Sequence, residues 1–368
     1  MVLRDIDRLL EEWAPKALAW EGDNVGIQIG NPSGKIRTIL LALDLTDEVV
    51  REAVRRRADL VMTHHPLLFR PPRALRTDDR TGRLALALAR NNIALHALHT
   101  NLDFAPGGVS HALAKELGLD RIATLQPLTG QFQKIVVFVP LSHSDAVMEA
   151  MAGEGAGRIG NYDRCSFRTA GSGTFRPLSG ARPYTGSAGV LEQVGEERIE
   201  MIVPRWKSGR VIEAMRRVHP YEEVAFDLFD LATEVTGYGA GAVGSLPRAM
   251  TLRGFLAHVR RRLGTPHLRY AGRPERPVRT VAVCGGSGGE YLPAALRAGA
   301  DAFVTADLRY HTFQGCDGAL ALIDAGHYET EVVVLRHLRA YLKSRPEIRT
   351  GGVKVFVTAQ NTNSVHYS

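Results

Sequence analysis

A chain of 368 residues, 45% hydrophobic and 23% charged, is long enough for more than one core and has the composition of a folded protein rather than a disordered one. It contains no run of about 18 consecutive apolar residues, which excludes a membrane-spanning helix on sequence grounds. Its net charge of +7 would suggest nucleic acid if it were spread over the chain, yet nine arginines against Glu275 alone, between Arg248 and Arg279, account for it.

The opening carries alternating charges and an amphipathic helix over 6–13, unlike the apolar core of a signal peptide, so the expected location is cytoplasmic. Strands at 38–43, 60–62 and 93–98 then alternate with helices at 48–57, 84–91 and 109–117, an α/β layered order. From about residue 131 the texture changes. A strand at 134–140 and a helix at 144–153 lead into a glycine-rich stretch over 155–177, followed by a strand at 197–204, a helix at 208–218 and a strand at 222–229. This is the βαβ-βαβ order of a ferredoxin-like α+β fold. The α/β pattern resumes near residue 248 with a basic helix at 251–263 and strands at 279–284, 302–305 and 319–323, each followed by a helix. The fold class is therefore α/β, a discontinuous two-layer or three-layer core formed by 1–130 and 237–368, with an α+β domain inserted at 131–236.

The chemistry gathers at three strand ends. His64 and His65 follow an apolar strand and precede Pro66, which keeps its neighbour extended. Adjacent residues of a strand point to opposite faces, so the pair suits two metal ions better than one. A second strand runs into His99-Thr-Asn-Leu-Asp103, placing His99 and Asp103 at the same kind of edge. A third, over 320–324, runs into Gly326-His327-Tyr-Glu-Thr-Glu331, where i, i+4 spacing puts His327 and Glu331 on one face of a helix continuing through Val334 and Leu338.

One histidine at a loop edge is more often a hydrogen-bonded surface residue than a ligand. Three strand ends of the same character weigh more, because open α/β sheets bind ligands beyond the carboxyl ends of their strands. Imidazole mixed with carboxylate, without thiolate, points to two divalent ions drawn from Zn, Mn, Fe or Co. Asp307, His311 and His99, predicted near the same ends, are candidates for proton transfer or for orienting the ligands.

Other motifs carry less. Cys165, Cys284 and Cys316 have no paired spacing, so they read as buried fillers. The loop Gly285-Gly-Ser-Gly-Gly289 offers backbone N–H groups to an anion but lacks the dinucleotide-binding spacing. His219, Glu222 and Glu223 suggest a second metal site but lack convergent partners, and packing is the preferred reading. For the arginine-rich stretch a solvated or interface face ranks first and a basic approach for a phosphorylated substrate second. Nucleic acid ranks third, since only Phe255 and Tyr270 accompany the arginines.

These segments, together with Trp20-Glu-Gly-Asp-Asn-Val-Gly-Ile-Gln-Ile-Gly30, the run 281–288 and the run 299–311, resemble the dinuclear metal centre hexameric protein family, the GTP cyclohydrolase 1 type 2 homologues. The resemblance spans nearly the whole chain. It implies that His64, His65, Asp103, His327 and Glu331 hold the metals, with Glu331 bridging the two ions. It further implies a homohexamer capped by inserts similar to PII and CutA-like domains. The implied activity is a divalent-metal-dependent hydrolase acting on a purine nucleotide or related phosphorylated compound, whereas the charge pattern and the lack of a long apolar run disfavour nucleic-acid and membrane partners. One departure stands at Ala306, where the family has glycine in a Thr-Gly-Asp sequence. The alternative function is a non-catalytic metal-binding protein, for storage or delivery, or a regulatory scaffold.

Overall fold

The computed structural model describes residues 1–366 apart from Glu234 and Asp317, without side-chain placement for Val235 and Thr236. Contacts divide the chain into two compact units, Met1–Pro127 with Gly237–Ser368, and Leu128–Thr236.

The first part of the core runs α1 (Leu3–Trp13), β1 (Gly26–Ile29), β2 (Thr38–Ala42), α2 (Asp47–Arg55), β3 (Leu60–Thr63), α3 (Arg80–Arg90), β4 (Ala94–Ala97), α4 (Thr100–Asp103), α5 (Val109–Glu116) and β5 (Asp120–Leu128). The insert follows as β6 (Phe132–Pro140), α6 (Ser144–Gly153), β7 (Phe167–Phe175), β8 (Glu192–Pro204), α7 (Ser208–Val218) and β9 (Phe226–Leu231). The second part of the core is β10 (Val235–Thr251), α8 (Leu252–Leu263), β11 (Arg269–Ala271), β12 (Pro277–Ser287), α9 (Leu292–Arg297), β13 (Ala302–Ala306), α10 (Tyr310–Gly315), β14 (Ala321–Asp324), α11 (His327–Glu331), α12 (Val334–Ser344), α13 (Pro346–Thr350) and β15 (Lys354–Val357). No helix among the described residues is long and apolar enough to cross a membrane.

Short polar caps start the core helices where the strand-to-helix turns need them. Thr46 accepts from Val49 N ahead of α2, Asp79 from Gly82 N ahead of α3, and Thr251 from Gly254 N ahead of α8. Gly264 closes α8 in the left-handed region, at φ +66°.

The core holds two sheets, in the orders β1-β4-β3-β2-β15 and β11-β14-β13-β12-β10-β5. β2, β3, β4 and β15 run parallel, as do β12, β13 and β14. Each half of the chain lends the other a strand: β15, from the end, completes the sheet of the first half, and β5 joins the sheet of the second.

Parallel strands covered on both faces must be apolar on both faces, and these are. Ile39, Leu41, Leu60 and Met62 from one sheet and Val281, Val283, Val304 and Ile323 from the other share a buried cluster with residues of α1, α5, α8 and α12. On the outer faces, Leu40, Ala42, Val61 and Leu95 pack with residues of α2 and α3, and Ala282, Phe303 and Leu322 with Ala294 and Ala295 of α9. The result is two helix-sheet-helix sandwiches sharing their middle helical layer.

The insert is an antiparallel sheet of order β7-β8-β6-β9. Ile135, Val137, Ile199 and Met201 cover one face with Val147 and Met151 of α6 and Val211 and Met215 of α7. This is the ferredoxin-like arrangement. It needs a strand, β7, where the sequence shows only a glycine-rich stretch.

Two further differences concern helices near the functional residues. Asp103 ends the short helix α4 rather than a strand. The helix bearing His327 and Glu331 stops after Glu331 and restarts at Val334. Within it the Thr330 hydroxyl proton is shared between the carbonyls of Gly326 and His327, each 2.9 Å from Oγ1.

Candidate metal centre

The parallel strands of both sheets end toward one place. Asp44 follows β2, His64 and His65 follow β3, and His99 follows β4, whereas β12 carries an irregularity at Gly285-Gly286 near its end, Asp307 follows β13 and α11 follows β14. Four imidazoles converge there. Ring centroids of His65 lie 5.0 Å from His64, 5.6 Å from His99 and 5.3 Å from His327. Ligand-capable atoms of His64, His65 and His99 lie within 4.8 Å of one another, and those of His65, His327 and Glu331 form a second such group.

Each ring has given away one nitrogen. His64 Nδ1 donates to the Leu98 carbonyl at 2.7 Å, His65 Nδ1 to Asp44 at 2.8 Å, His99 Nδ1 to Asp23 at 2.9 Å and His327 Nδ1 to Asp307 at 2.6 Å. An imidazole held this way is fixed in orientation and offers its other nitrogen as a ligand once the proton there is displaced. Glu331 stands between the rings, buried, with Oε1 3.8 Å from His64 Nε2 and Oε2 3.1 Å from His65 Nε2 and 3.2 Å from His327 Nε2. Asp103 Oδ1 lies 3.7 Å from His64 Nε2.

Among the described residues, the buried atoms His64 Nε2 and Glu331 Oε2 make no hydrogen bond of good geometry, the ion-pair contacts of Oε2 notwithstanding. Leaving two such atoms unsatisfied would cost a protein about 1–3 kcal/mol each. Lone pairs of nitrogen and carboxylate oxygen, gathered around a shared space, fit a hard-to-borderline divalent cation.

The electrostatics say the same. Burial works against a charged His65, but the Asp44 and Glu331 carboxylates overcome it and raise the ring to about 10. The Glu331 carboxylate raises His327 to about 9. Burial lifts Asp103 to about 6 against the pull of His64, whereas Glu331, despite its burial, is held well below the usual carboxylate range by His64, His327 and His65. Such a cluster is short of positive charge, and divalent ions would supply it by displacing the protons.

The model of the family described as Duf34/NIF3 (NGG1p interacting factor 3) matches residues 1–364. This chain belongs to the Duf34/NIF3 family. Its relatives named GTP cyclohydrolase 1 type 2 homolog include one from Halalkalibacterium halodurans, 44% identical over 87% of both chains, and one from Bacillus subtilis, 38% identical over 98% of this chain and 97% of the relative. Among solved structures, the Bacillus cereus protein related to NIF3 superposes with a TM-score of 0.88 at 38% identity, covering 100% of this chain and 99% of that one. A Staphylococcus aureus protein superposes with a TM-score of 0.80 at 28% identity, with the same coverage.

In this Duf34/NIF3 chain the fold brings together His64, His65, Asp103, His327, Glu331 and His99. Asp307 is joined to the group through His327 and sits in the left-handed region, at φ +54°, a conformation that aspartate tolerates better than most residues. His311 is not brought in. It is exposed on α10, and its Nδ1 pairs with Gln314 of the same helix at 3.3 Å, so its place near a strand end does not carry it to the cluster.

The first two N–H groups of the glycine loop are committed within the chain. Gly285 N already donates to Ser110 Oγ and Gly286 N to Thr330 Oγ1. A Cβ on Gly286, which has φ +63°, would collide with Glu331 Oε1, so the loop is bare in order to lie against the Glu331 carboxylate. Ala306, the departure from the family pattern, is fully buried at the end of β13, where its methyl is part of the core. Arg269, although exposed, is bonded to the Asp324 carboxylate and the Leu308 carbonyl, where it shapes the turn into α11.

Two orienting acids, Asp44 and Asp23, went unread in the sequence. Asp44 stands two residues after β2, as His65 does after β3, and Asp23 lies within the 20–30 segment already quoted for the family resemblance.

Proposed function

We propose that the chain is a divalent-metal-dependent hydrolase acting on a purine nucleotide or a related phosphorylated compound, with His64, His65, Asp103, His327 and Glu331 holding two ions. One observation carries this reading: the Glu331 oxygens face different histidines, Oε1 toward His64 and Oε2 toward His65 and His327. With two cations bound, a carboxylate so placed would have one oxygen available for each. The name shared by the relatives supports the choice of a purine nucleotide.

Two divalent ions in such a centre supply a lowered water pKa and Lewis-acid polarisation of the bond attacked. The remaining tasks fall to the chain. His99, with its Nδ1 proton held on Asp23, keeps its other nitrogen as an acceptor for the proton of the attacking water. Phe69 is exposed, its ring 6.1 Å from that of His99, and offers a surface on which a base stacks. Asp44 and Asp307 fix the rings of His65 and His327. The reading includes a homohexamer, and a monomer mass in sedimentation at micromolar concentration would remove that part of it.

The test strips the protein of metal and reloads it in turn with Zn, Mn, Fe and Co, measuring ions per chain and turnover across nucleotides and phosphoesters. Two ions per chain and turnover with at least one metal are expected. Glu331→Gln should lose at least one ion, because a neutral amide bridges cations poorly. Two ions retained in that variant would remove the bridging role. No turnover with any metal would leave a storage or delivery protein.

A further inference from the structure

The insert holds a cavity of about 740 Å3 lined by its own residues, none of which belongs to the histidine cluster. Its floor follows from strand alternation. Ile135, Val137, Ile199 and Met201 face the helices, so Phe138, Glu196 and Arg198, out of phase with them, lie on the opposite face of the sheet. β7 continues that face with Gly171 and Gly173, paired with Glu196 and Val194.

Neither glycine adopts positive φ, so neither is there for a turn. Their effect is to remove side chains. A Cβ on Gly171 would meet nothing within 4 Å, whereas one on Gly173 would collide with the Glu196 carboxylate. The bare strand therefore leaves open space at one position and a seat for an acid at the other.

The walls are aromatic. Tyr221 lies 6.2 Å from Tyr184 and 6.0 Å from Phe175 between ring centroids. Tyr221 Oη donates to Glu196 Oε1 at 2.9 Å, which fixes the carboxylate against these rings. His219 anchors the segment: one nitrogen donates to the Phe138 carbonyl at 3.0 Å and the other accepts from Tyr221 N at 3.1 Å, leaving none for a metal. Three carboxylates, Glu196, Glu222 and Glu223, line the space with Arg176 and Arg198, and Arg198 is paired with Glu200 at 3.0 Å.

We propose that this cavity binds a flat nitrogen heterocycle bearing an exocyclic amine, stacked among Phe138, Phe175, Tyr184 and Tyr221, with its N–H groups donated to Glu196. The volume is that of a small-molecule site. An ionised carboxylate only accepts, so its partner must donate, and a charged acceptor in an aromatic setting makes that bond strong. The surplus of acid selects an amine-bearing or cationic ring over an anionic one.

Full-length, metal-loaded protein titrated with 2-aminopurine riboside is expected to quench its fluorescence saturably at one site. Gly171→Val fills the open space with a residue that strands accept, and should abolish the quenching while the melting temperature stays within a few degrees of the parent. Glu196→Gln keeps the shape and the acceptor for Tyr221, and should weaken binding at least about tenfold. Purine riboside, which lacks the amine, should displace the probe about tenfold less well from the parent and equally well from Glu196→Gln. Absence of saturable quenching, or quenching of parental strength in both variants, would overturn the site. Equal displacement by the two ribosides from the parent would overturn the ligand class.

Discussion

In the proposed metal centre, affinity would rest in part on side chains outside the ligand set. Asp44, 2.8 Å from His65 Nδ1, also accepts from Thr362 Oγ1 at 3.1 Å, so ring, acid and hydroxyl form one fixed chain. Asp44→Ala leaves His65 in place but frees its tautomer and ring plane, and is expected to weaken metal binding about 10- to 100-fold. Competition with a chromogenic chelator reads this directly, and unchanged affinity would reduce Asp44 to a surface acid. Gly286→Ala tests space rather than orientation. The added methyl meets the Glu331 carboxylate at a backbone conformation that alanine disfavours, so less metal per chain and a lower melting temperature are expected together. His64, His65, His327 and Glu331 were legible because strand alternation and i, i+4 spacing are local rules. The partnership of Asp44 with a histidine 21 residues away was not, since it depends on which strands become neighbours.

The same distinction separates the elements that were read from those that were missed. Strands β2, β3 and β13 and helices α2, α5, α6 and α7 bury apolar patterns strong enough to show in sequence, and the expected ranges fall on them to within a few residues. β5 and β15 each join a sheet built mainly from the other half of the chain, so the reason for their extension lies more than a hundred residues away. β7 was hidden by glycines, which weaken a strand and here keep one face of the insert open. Tertiary ties between elements also set the response to acid. α1 is held to β4 by Asp7, whose carboxylate accepts from buried His96 Nε2 at 2.9 Å and from Lys16 Nζ at 2.7 Å. Burial alone would raise Asp7, but those donors hold it at about 2. A depressed carboxylate contributes stability above its unfolded value and loses it as pH falls through the folded one. Wild-type protein should therefore lose about 2 kcal/mol between pH 4 and 2 that Asp7→Asn does not. Denaturant melts of both proteins at those pH values measure the difference, and parallel curves would show that the pair carries no such linkage.

For the whole molecule, the division of the core by an insert makes a definite demand on geometry, since all candidate ligands lie in Met1–Pro127 and Gly237–Ser368. The two core ends must meet where the insert departs. They do: a Cβ on Gly239 would collide with the backbone of Gln126 and Pro127, so the outgoing and returning strands lie side by side at the junction. A few Gly and Ser residues therefore suffice to join residue 127 to residue 237, and a short flexible link adds little loop-closure cost. Among the described residues, the apolar cluster between the core sheets and the clusters on their outer faces contain none from the insert, which has its own. We expect the chain lacking residues 128–236 to fold cooperatively and to bind as many metal ions as the parent, because every strand end that builds the centre remains. It should fail to quench 2-aminopurine riboside, since the proposed cavity goes with the deleted segment. Elemental analysis and the fluorescence titration on the same preparation separate the two sites. A folded core without metal would mean that the insert completes the centre, and a core that still quenched the probe would move the heterocycle site out of the insert.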